Sequence, residues 1–330
     1  MHFYWIDDDK RREHAAKNLE NYFNRQKIKS RGEFINLCRK DFDDFKSIFN
    51  KPAPDLIIVD HFLNNSTNKI ITKGSSVAEI VRQRWPQCPI VGVTAAEKEA
   101  RVAAFSKDSY EDLFSIDNRE EMFAAALILA VGFRTLRKIQ IRNSTRLAEL
   151  LNPPHDETEN IKRIIPLDIS RDLNDRENVS LKIKISRWVR RTLLARPGPL
   201  YDSLWAATMI GIKEVAFIRI SSSFCSAQYS GIFSNYSGFR WWRGALLKKL
   251  YDQLKLQEPR LPWLAGHSLK GITKKDYALC AACHKLYPEI VAYNDRGSTI
   301  RHPMHLKCTE AHPDYDALPS FEEIRMMKDL

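Results

Sequence analysis

"DLIIVDHFLNN", residues 55–65, is the stretch that decides the fold. Leu56, Ile57, Ile58 and Val59 are apolar, mostly β-branched, and run directly into a carboxylate at Asp60. A continuous apolar run of this length suits a parallel strand covered on both faces. Aspartate is seldom buried without a partner, so Asp60 marks the point where such a strand leaves its sheet. Open α/β sheets carry their chemistry at that carboxyl edge.

The flanking sequence supplies the rest of the sheet. "HFYWI" (2–6), "EFINLC" (33–38), "PIVGVTA" (89–95) and "DLFSI" (112–116) read as strands. Between them "KRREHAAKNLENYFNRQK" (10–27), "SSVAEIVRQRWP" (75–86) and "KEARVAAFSKD" (98–108) read as helices. Asp117 with Glu120 three residues on has the capping-box pattern of a further helix start. Five such units predict an α/β fold, a five-stranded doubly wound parallel sheet with helices on both faces.

Polar residues collect at one edge of that sheet. The first strand ends in Asp7-Asp8-Asp9, the third in Asp60 and the fourth in Thr94. Converging carboxylates repel one another unless a cation lies among them, and Mg²⁺, with its preference for oxygen ligands, suits the set Asp7, Asp8 and Asp60. Asp60 could then act as a nucleophile towards phosphorus, with the Thr94 hydroxyl and the metal stabilising phosphoryl oxygens.

These residues, in this order, resemble a receiver domain of two-component response regulators over residues 1–135. The resemblance implies that Asp60 is a phosphoacceptor served by a histidine kinase, that Thr94 contacts the phosphoryl group, and that Asp7 and Asp8 hold Mg²⁺. Two departures stand out. Where receivers carry a lysine after strand five, "DLFSIDN" offers Ser115 or Ile116, with Lys98 or Lys107 in nearby loops as candidate substitutes. The Met-Pro that often follows the acceptor is replaced by "DHFLNN" and an insert, "NNSTNKIITKGSS" (64–76). A pseudo-receiver that docks protein partners without being phosphorylated is therefore the alternative reading.

From Glu120 an apolar pattern runs to Asn152-Pro153-Pro154, predicting a long helix that ends at proline and could pair with its twin in a homodimer. The expected organisation is a receiver-like domain (1–135), a helical extension and linker (136–160) and a basic α+β output domain (161–330) with a zinc module near 280–312. Charge supports that division. Residues 1–140 hold 23 Lys+Arg against 20 Asp+Glu, and residues 141–330 hold 29 against 21, so most of the net +11 lies in the second half. Such an excess points to nucleic acid, DNA or RNA, or to another anionic partner.

In the second half, "VAFIRISSSF" (215–224) alternates like a strand. "FRWWRGALLKKLYDQLKL" (239–256) reads as a basic amphipathic helix, with Arg240, Arg243, Lys248 and Lys249 as candidate nucleic-acid contacts; Trp241 and Trp242 are either stacking platforms for bases or, the favoured reading, core residues. No phosphate-binding loop, G-x-S-x-G or H-E-x-x-H occurs.

Of six cysteines, at 38, 88, 225, 280, 283 and 308, the first three are scattered and read as reduced thiols. The others fall in "CAACHKLYPEIVAYNDRGSTIRHPMHLKC" (280–308), which pairs Cys280-x₂-Cys283 with His302, His305 and Cys308. Two close pairs separated by a hairpin, turning at 295–297, supply the tetrahedron that Zn²⁺ prefers. The run resembles a LIM or treble-clef module, with Cys280 and Cys283 as ligands and two of the other three completing a closed, structural site. Cys308 and His312 could begin a second module.

The reading expected from sequence is a signalling protein whose receiver-like domain controls a basic, zinc-stabilised output that binds nucleic acid. The alternatives are an adaptor of protein partners and a nuclease-type effector using His267 or Asp276. No arrangement of residues assigns a reaction to the second half, so a non-enzymatic protein is expected. The opening "MHFYWIDDDK" turns acidic where a secretory segment stays apolar, and Phe123 to Phe133 is about half a membrane span, so a cytoplasmic protein without a membrane partner is expected.

Overall fold

Strand β1, His2–Asp7, lies second in a five-stranded sheet with β2 (Arg31–Asn36), β3 (Leu56–Asp60), β4 (Ile90–Thr94) and β5 (Asp112–Ser115). The order is β2-β1-β3-β4-β5 and every pairing is parallel. This is one of the two common doubly wound strand orders, and its switch point lies between β1 and β3. The structure is a computed structural model that describes residues 1–37, 42–63, 73–95, 109–173, 175, 178, 180–255, 261–286, 290–294, 301–305 and 308. For residues 42–44, 290–294, 301 and 302 the backbone alone is described.

Burial explains why the central strands are apolar throughout. Leu56, Ile57, Ile58 and Val59 are completely buried, each contributing about 1.5–3 kcal/mol relative to exposure. Tyr4, Ile6, Ile57 and Val59 point into one core with Val77, Val81 and Trp85. On alternate positions Phe3 meets Phe23 of helix α1 (Glu13–Arg25) across the other face, ring centroids 5.7 Å apart. Helices α2 (Phe42–Ser47), α3 (Gly74–Arg84) and α4 (Arg119–Lys138) complete this part. The helix expected at 98–108 lies outside the described residues, as does Cys38.

Then follow α5 (Ser144–Leu151), α6 (Thr158–Ile164), α7 (Leu167–Asp172), α8 (Leu181–Trp188), α9 (Ser203–Met209), α10 (Glu214–Ile220), α11 (Arg243–Leu254) and α12 (Pro262–Ala265). The chain divides into two compact units: Met1–Arg142 with Arg171–Arg187, and Asn143–Ser170 with Trp188–Leu330. In the first unit, Lys182 donates to the Arg137 carbonyl at 3.1 Å, which ties the returning segment to the end of α4.

Among its described residues the second unit is mainly helical, with two small antiparallel sheets. One pairs β6 (Leu200–Tyr201) with β7 (Trp241–Trp242); the other pairs β8 (Ile290–Asn294) with β9 (Arg301–His305). Its core gathers Trp205, Ile210, Phe217, Phe224, Trp241 and Leu246.

Three local expectations are corrected. Helix α4 starts at Arg119 with Asn118 as its N-cap, not at Asp117, because the strand-end turn ties Asn118 N–H to the Ser115 carbonyl at 3.1 Å. The long helix is broken after Lys138: Ile139 is extended, and the Asn143 side chain accepts the Arg146 N–H at 2.8 Å to start α5 afresh. Residues 215–224 are helical, with Ala216, Phe217 and Phe224 buried while Val215 and Ile218 are exposed, a helix spacing that the apparent alternation concealed.

Candidate functional site

The sheet brings the acidic residues together. Asp7 pairs with Asn36 at the end of β1, Asp60 lies beside Val93, and Thr94 lies beside Ser115, so all share the carboxyl edge. Ligating oxygens of Asp7, Asp8 and Asp60 lie within 4.8 Å of one another. Asp7, Asp8 and Thr94 are buried, and Asp60 is partly exposed. Asp7 is held on both oxygens: Asp9 N–H donates to Oδ1 at 2.9 Å and the Trp5 indole N–H to Oδ2 at 3.3 Å.

Burial strains the charge of this cluster. Burial, opposed in part by these hydrogen bonds, pushes the Asp7 carboxyl up to about 6. Burial, and then the neighbouring charge of Asp7, push Asp60 up to about 7. A divalent cation among the three oxygens would favour the carboxylate forms of Asp7 and Asp60, so the donor set fits Mg²⁺.

Beside the acids the chain is tightly built. The Gly74 N–H, at the start of α3, donates to the His61 carbonyl at 2.9 Å, and a Cβ at Gly74 would stand 2.1 Å from the Asp60 carbonyl oxygen. An antiparallel bridge from Phe62 to Lys73 closes the base of the insert. His61 is buried with its Nδ1 3.2 Å from the Tyr110 hydroxyl. Strand β5 ends on Ser115 and the buried Ile116, with no cation at that place. Lys98 and Lys107 lie outside the described residues. Sequence reading missed Arg12, whose positive field lowers both Asp7 and Asp60; the signal was Arg11-Arg12 directly after the three aspartates.

The second cluster is sulfur-rich. Cys280, Cys283, His305 and Cys308 bring one ligand atom each to within 4.8 Å of the others. His305 Nδ1 lies 3.1 Å from Cys283 Sγ and 3.9 Å from Cys308 Sγ. The His305 N–H donates to Cys280 Sγ at 3.3 Å, and further N–H groups of Cys283 and Ala282 bond the same sulfur. These bonds outweigh desolvation and lower the Cys280 thiol, while desolvation and the neighbouring thiols raise Cys308.

The turn after Cys283 needs a left-handed residue, which His284 supplies at φ 59°. Three sulfurs and one nitrogen in a closed, tetrahedral-sized group fit Zn²⁺. Among the described residues, His305 and Cys308 are the candidates that lie beside the cysteine pair. The His302 backbone pairs with Tyr293 in the hairpin, while its side chain, the turn at 295–297 and His312 lie outside the described residues.

The basic residues of 239–256 are spread out. Arg240 donates to the carbonyls of Leu194, Ser237 and Phe239, Lys248 pairs with Asp156 at 3.2 Å on the surface, and Arg243 and Lys249 are half-buried on α11. Trp241 and Trp242 are buried, as core residues should be. His267 stacks on Tyr277 with ring centroids 3.6 Å apart, and Asp276 closes a capping box with Thr273; both are structural contacts. No helix among the described residues is long and apolar enough to cross a membrane.

No protein-family model matches the chain, and neither does any curated protein. Solved structures do match part of it. The receiver domain of a Francisella response regulator is 18% identical, covering 39% of this chain and 96% of that one, with a TM-score of 0.30. A two-component response regulator from Clostridium difficile is 14% identical over 40% and 95% of the two chains, TM-score 0.31. The receiver domain of an HD domain-containing protein from Pseudomonas fluorescens Pf-5 is 13% identical over 42% and 91%, TM-score 0.33. The doubly wound fold follows from the strand order and register described above, independently of these likenesses.

Proposed function

We propose that the first unit is a receiver-like phosphorylation switch with Asp60 as acceptor, and that the second unit is a zinc-stabilised output. The observation that supports the reading best is the meeting of Asp7, Asp8 and Asp60 within 4.8 Å at the carboxyl edge of a 2-1-3-4-5 sheet. Asp7, Asp8 and Asp60 would hold Mg²⁺, which supplies charge neutralisation for phosphoryl oxygens. An Asp60 carboxylate oxygen attacks phosphorus, forming an O–P bond as the N–P bond of a kinase phosphohistidine breaks, and the proton balance is met at the departing imidazole. Thr94, buried at the end of β4, places its hydroxyl at the same edge.

Trp5 makes the test direct, since its indole N–H bonds the Asp7 carboxylate. Titration with Mg²⁺ and then beryllofluoride, a phosphoryl mimic, should change fluorescence saturably in wild type, with no beryllofluoride response in Asp60→Asn. A wild type that binds Mg²⁺ but ignores beryllofluoride would leave a docking platform in place of a switch.

For the output, the positive excess of residues 141–330 supports nucleic acid as the target. Retention on DNA or RNA should then fall steeply with salt, as counterion release requires. A flat salt response would favour a protein partner.

A further inference from the structure

A phosphoryl group at Asp60 would bring about two negative charges into a site that already holds Asp7 and Asp8. A divalent cation balances only part of that load, so a protein cation should face the group. Strand β5, whose end borders Thr94, offers a serine hydroxyl at Ser115 and the buried side chain of Ile116.

Cations do occur nearby, in the segments that follow β1 and β5. A cavity of about 360 Å³ is lined by Asp9, Arg11, Arg12, His14, Ala15 and Arg119. It joins the turn after β1 to the start of α4, the two elements that flank the acidic cluster at the carboxyl edge. Asp9, on its rim, hydrogen-bonds Asp7 through its N–H. Arg11 is held by Asp9, with Nε 3.0 Å from both carboxylate oxygens. Arg12 and Arg119 have no ion-pair partner among the described residues. Arg12 is half-buried, and its charge reaches both Asp7 and Asp60.

We propose that this cavity is the anion-binding half of the acidic site, in which Arg12, supported by Arg119, faces the oxygens of a phosphoryl group held at Asp60 and replaces the cation that strand β5 lacks. The inference rests on the phosphoryl-switch reading above. It makes Arg12 a contact to the bound group, with a planar fork suited to paired oxygens.

The test measures Mg²⁺ affinity and beryllofluoride affinity separately, by Trp5 fluorescence, in the full chain. Arg12→Ala should leave Mg²⁺ binding unchanged or tighter, because a positive charge has left the cation site. It should weaken beryllofluoride about ten- to a hundredfold, the loss expected for a charge-assisted contact. Arg119→Ala should weaken it less, and Ser115→Lys in the Arg12→Ala background should restore much of the affinity. Beryllofluoride binding by Arg12→Ala within twofold of wild type would overturn the proposal while leaving the switch intact. Loss of Mg²⁺ binding in Arg12→Ala would overturn it too, by making Arg12 structural. A wild type blind to beryllofluoride would instead sink the switch reading and this proposal with it.

Discussion

Asp60 is held above the ordinary carboxylate range by burial and by the charge of Asp7, and the acidic edge yields two predictions about single residues. Its carboxyl and that of Asp7 sit above the unfolded value of 3.8, at about 7 and about 6. Between roughly pH 4 and 7 the folded state therefore binds more protons than the unfolded one, and stability falls as pH rises through that window. Metal-free protein should be less stable at pH 8 than at pH 5 on account of these groups. Asp60→Asn should flatten this dependence and raise the melting temperature at pH 8 in chelator by about 2–4 °C for each kcal/mol relieved. The same variant should lose the stabilisation that Mg²⁺ gives wild type; melting curves at both pH values, with and without Mg²⁺, check both points. The second prediction concerns Gly74, where a Cβ would collide with the Asp60 carbonyl. Gly74→Ala should cost about 1–3 kcal/mol in denaturant unfolding and weaken the Mg²⁺ response, since α3 must shift away from the acidic edge.

Between elements, partly buried ion pairs at the opposite edge of the sheet fix how helices meet strands. Arg82 of α3 reaches Glu111, just before β5, at 2.6 Å, and also donates to the Cys88 carbonyl at 2.7 Å. The Glu111 carboxylate is wholly buried. Glu111→Ala would strand Arg82 without its counter-charge and should cost about 3 kcal/mol or more, measured by urea unfolding. Replacing both partners by leucine and methionine should recover most of that loss, because desolvation of two charges disappears with them. Arg137 of α4 binds Asp55 at 2.6 Å and the Pro54 carbonyl at 3.0 Å, fastening the far end of that helix to the loop before β3. These pairs were not legible in the sequence. Their members lie 29 and 82 residues apart, and only the doubly wound crossover brings them within reach.

At the scale of the whole chain, the sulfur cluster should decide the stability of the second unit. Cys280 and Cys283 lie on a knuckle, His305 ends the second strand of the hairpin and Cys308 follows it, so a shared ion would close the intervening loop. One zinc per chain is expected by elemental analysis. Chelation should lower the unfolding transition of the second unit, and Cys283→Ser should both abolish stoichiometric zinc and reproduce that loss. His302→Ala should keep full zinc content, because Cys280, Cys283, His305 and Cys308 would supply four ligands without it.

The parallel sheet was legible in the amino-acid order alone, since four apolar residues ending in Asp60 have few other solutions, and five strands in alternation with helices leave little choice of class. It also pointed to the donors of both clusters, because acids at strand ends and Cys-x₂-Cys spacing are local patterns that survive without coordinates. It misled where two local signals competed. Residues 215–224 alternate in polarity yet bury a helical face, and the apolar run after Glu120 concealed the Asn143 cap that divides it. What the fold alone reveals is that His305 and Cys308 come within 4.8 Å of Cys280 and Cys283, and that the charge of Arg12 reaches Asp7 and Asp60. The physical reason is the same in each case. Metal and phosphoryl sites are defined by a few ångströms between side chains, and that separation is set by how the chain returns on itself.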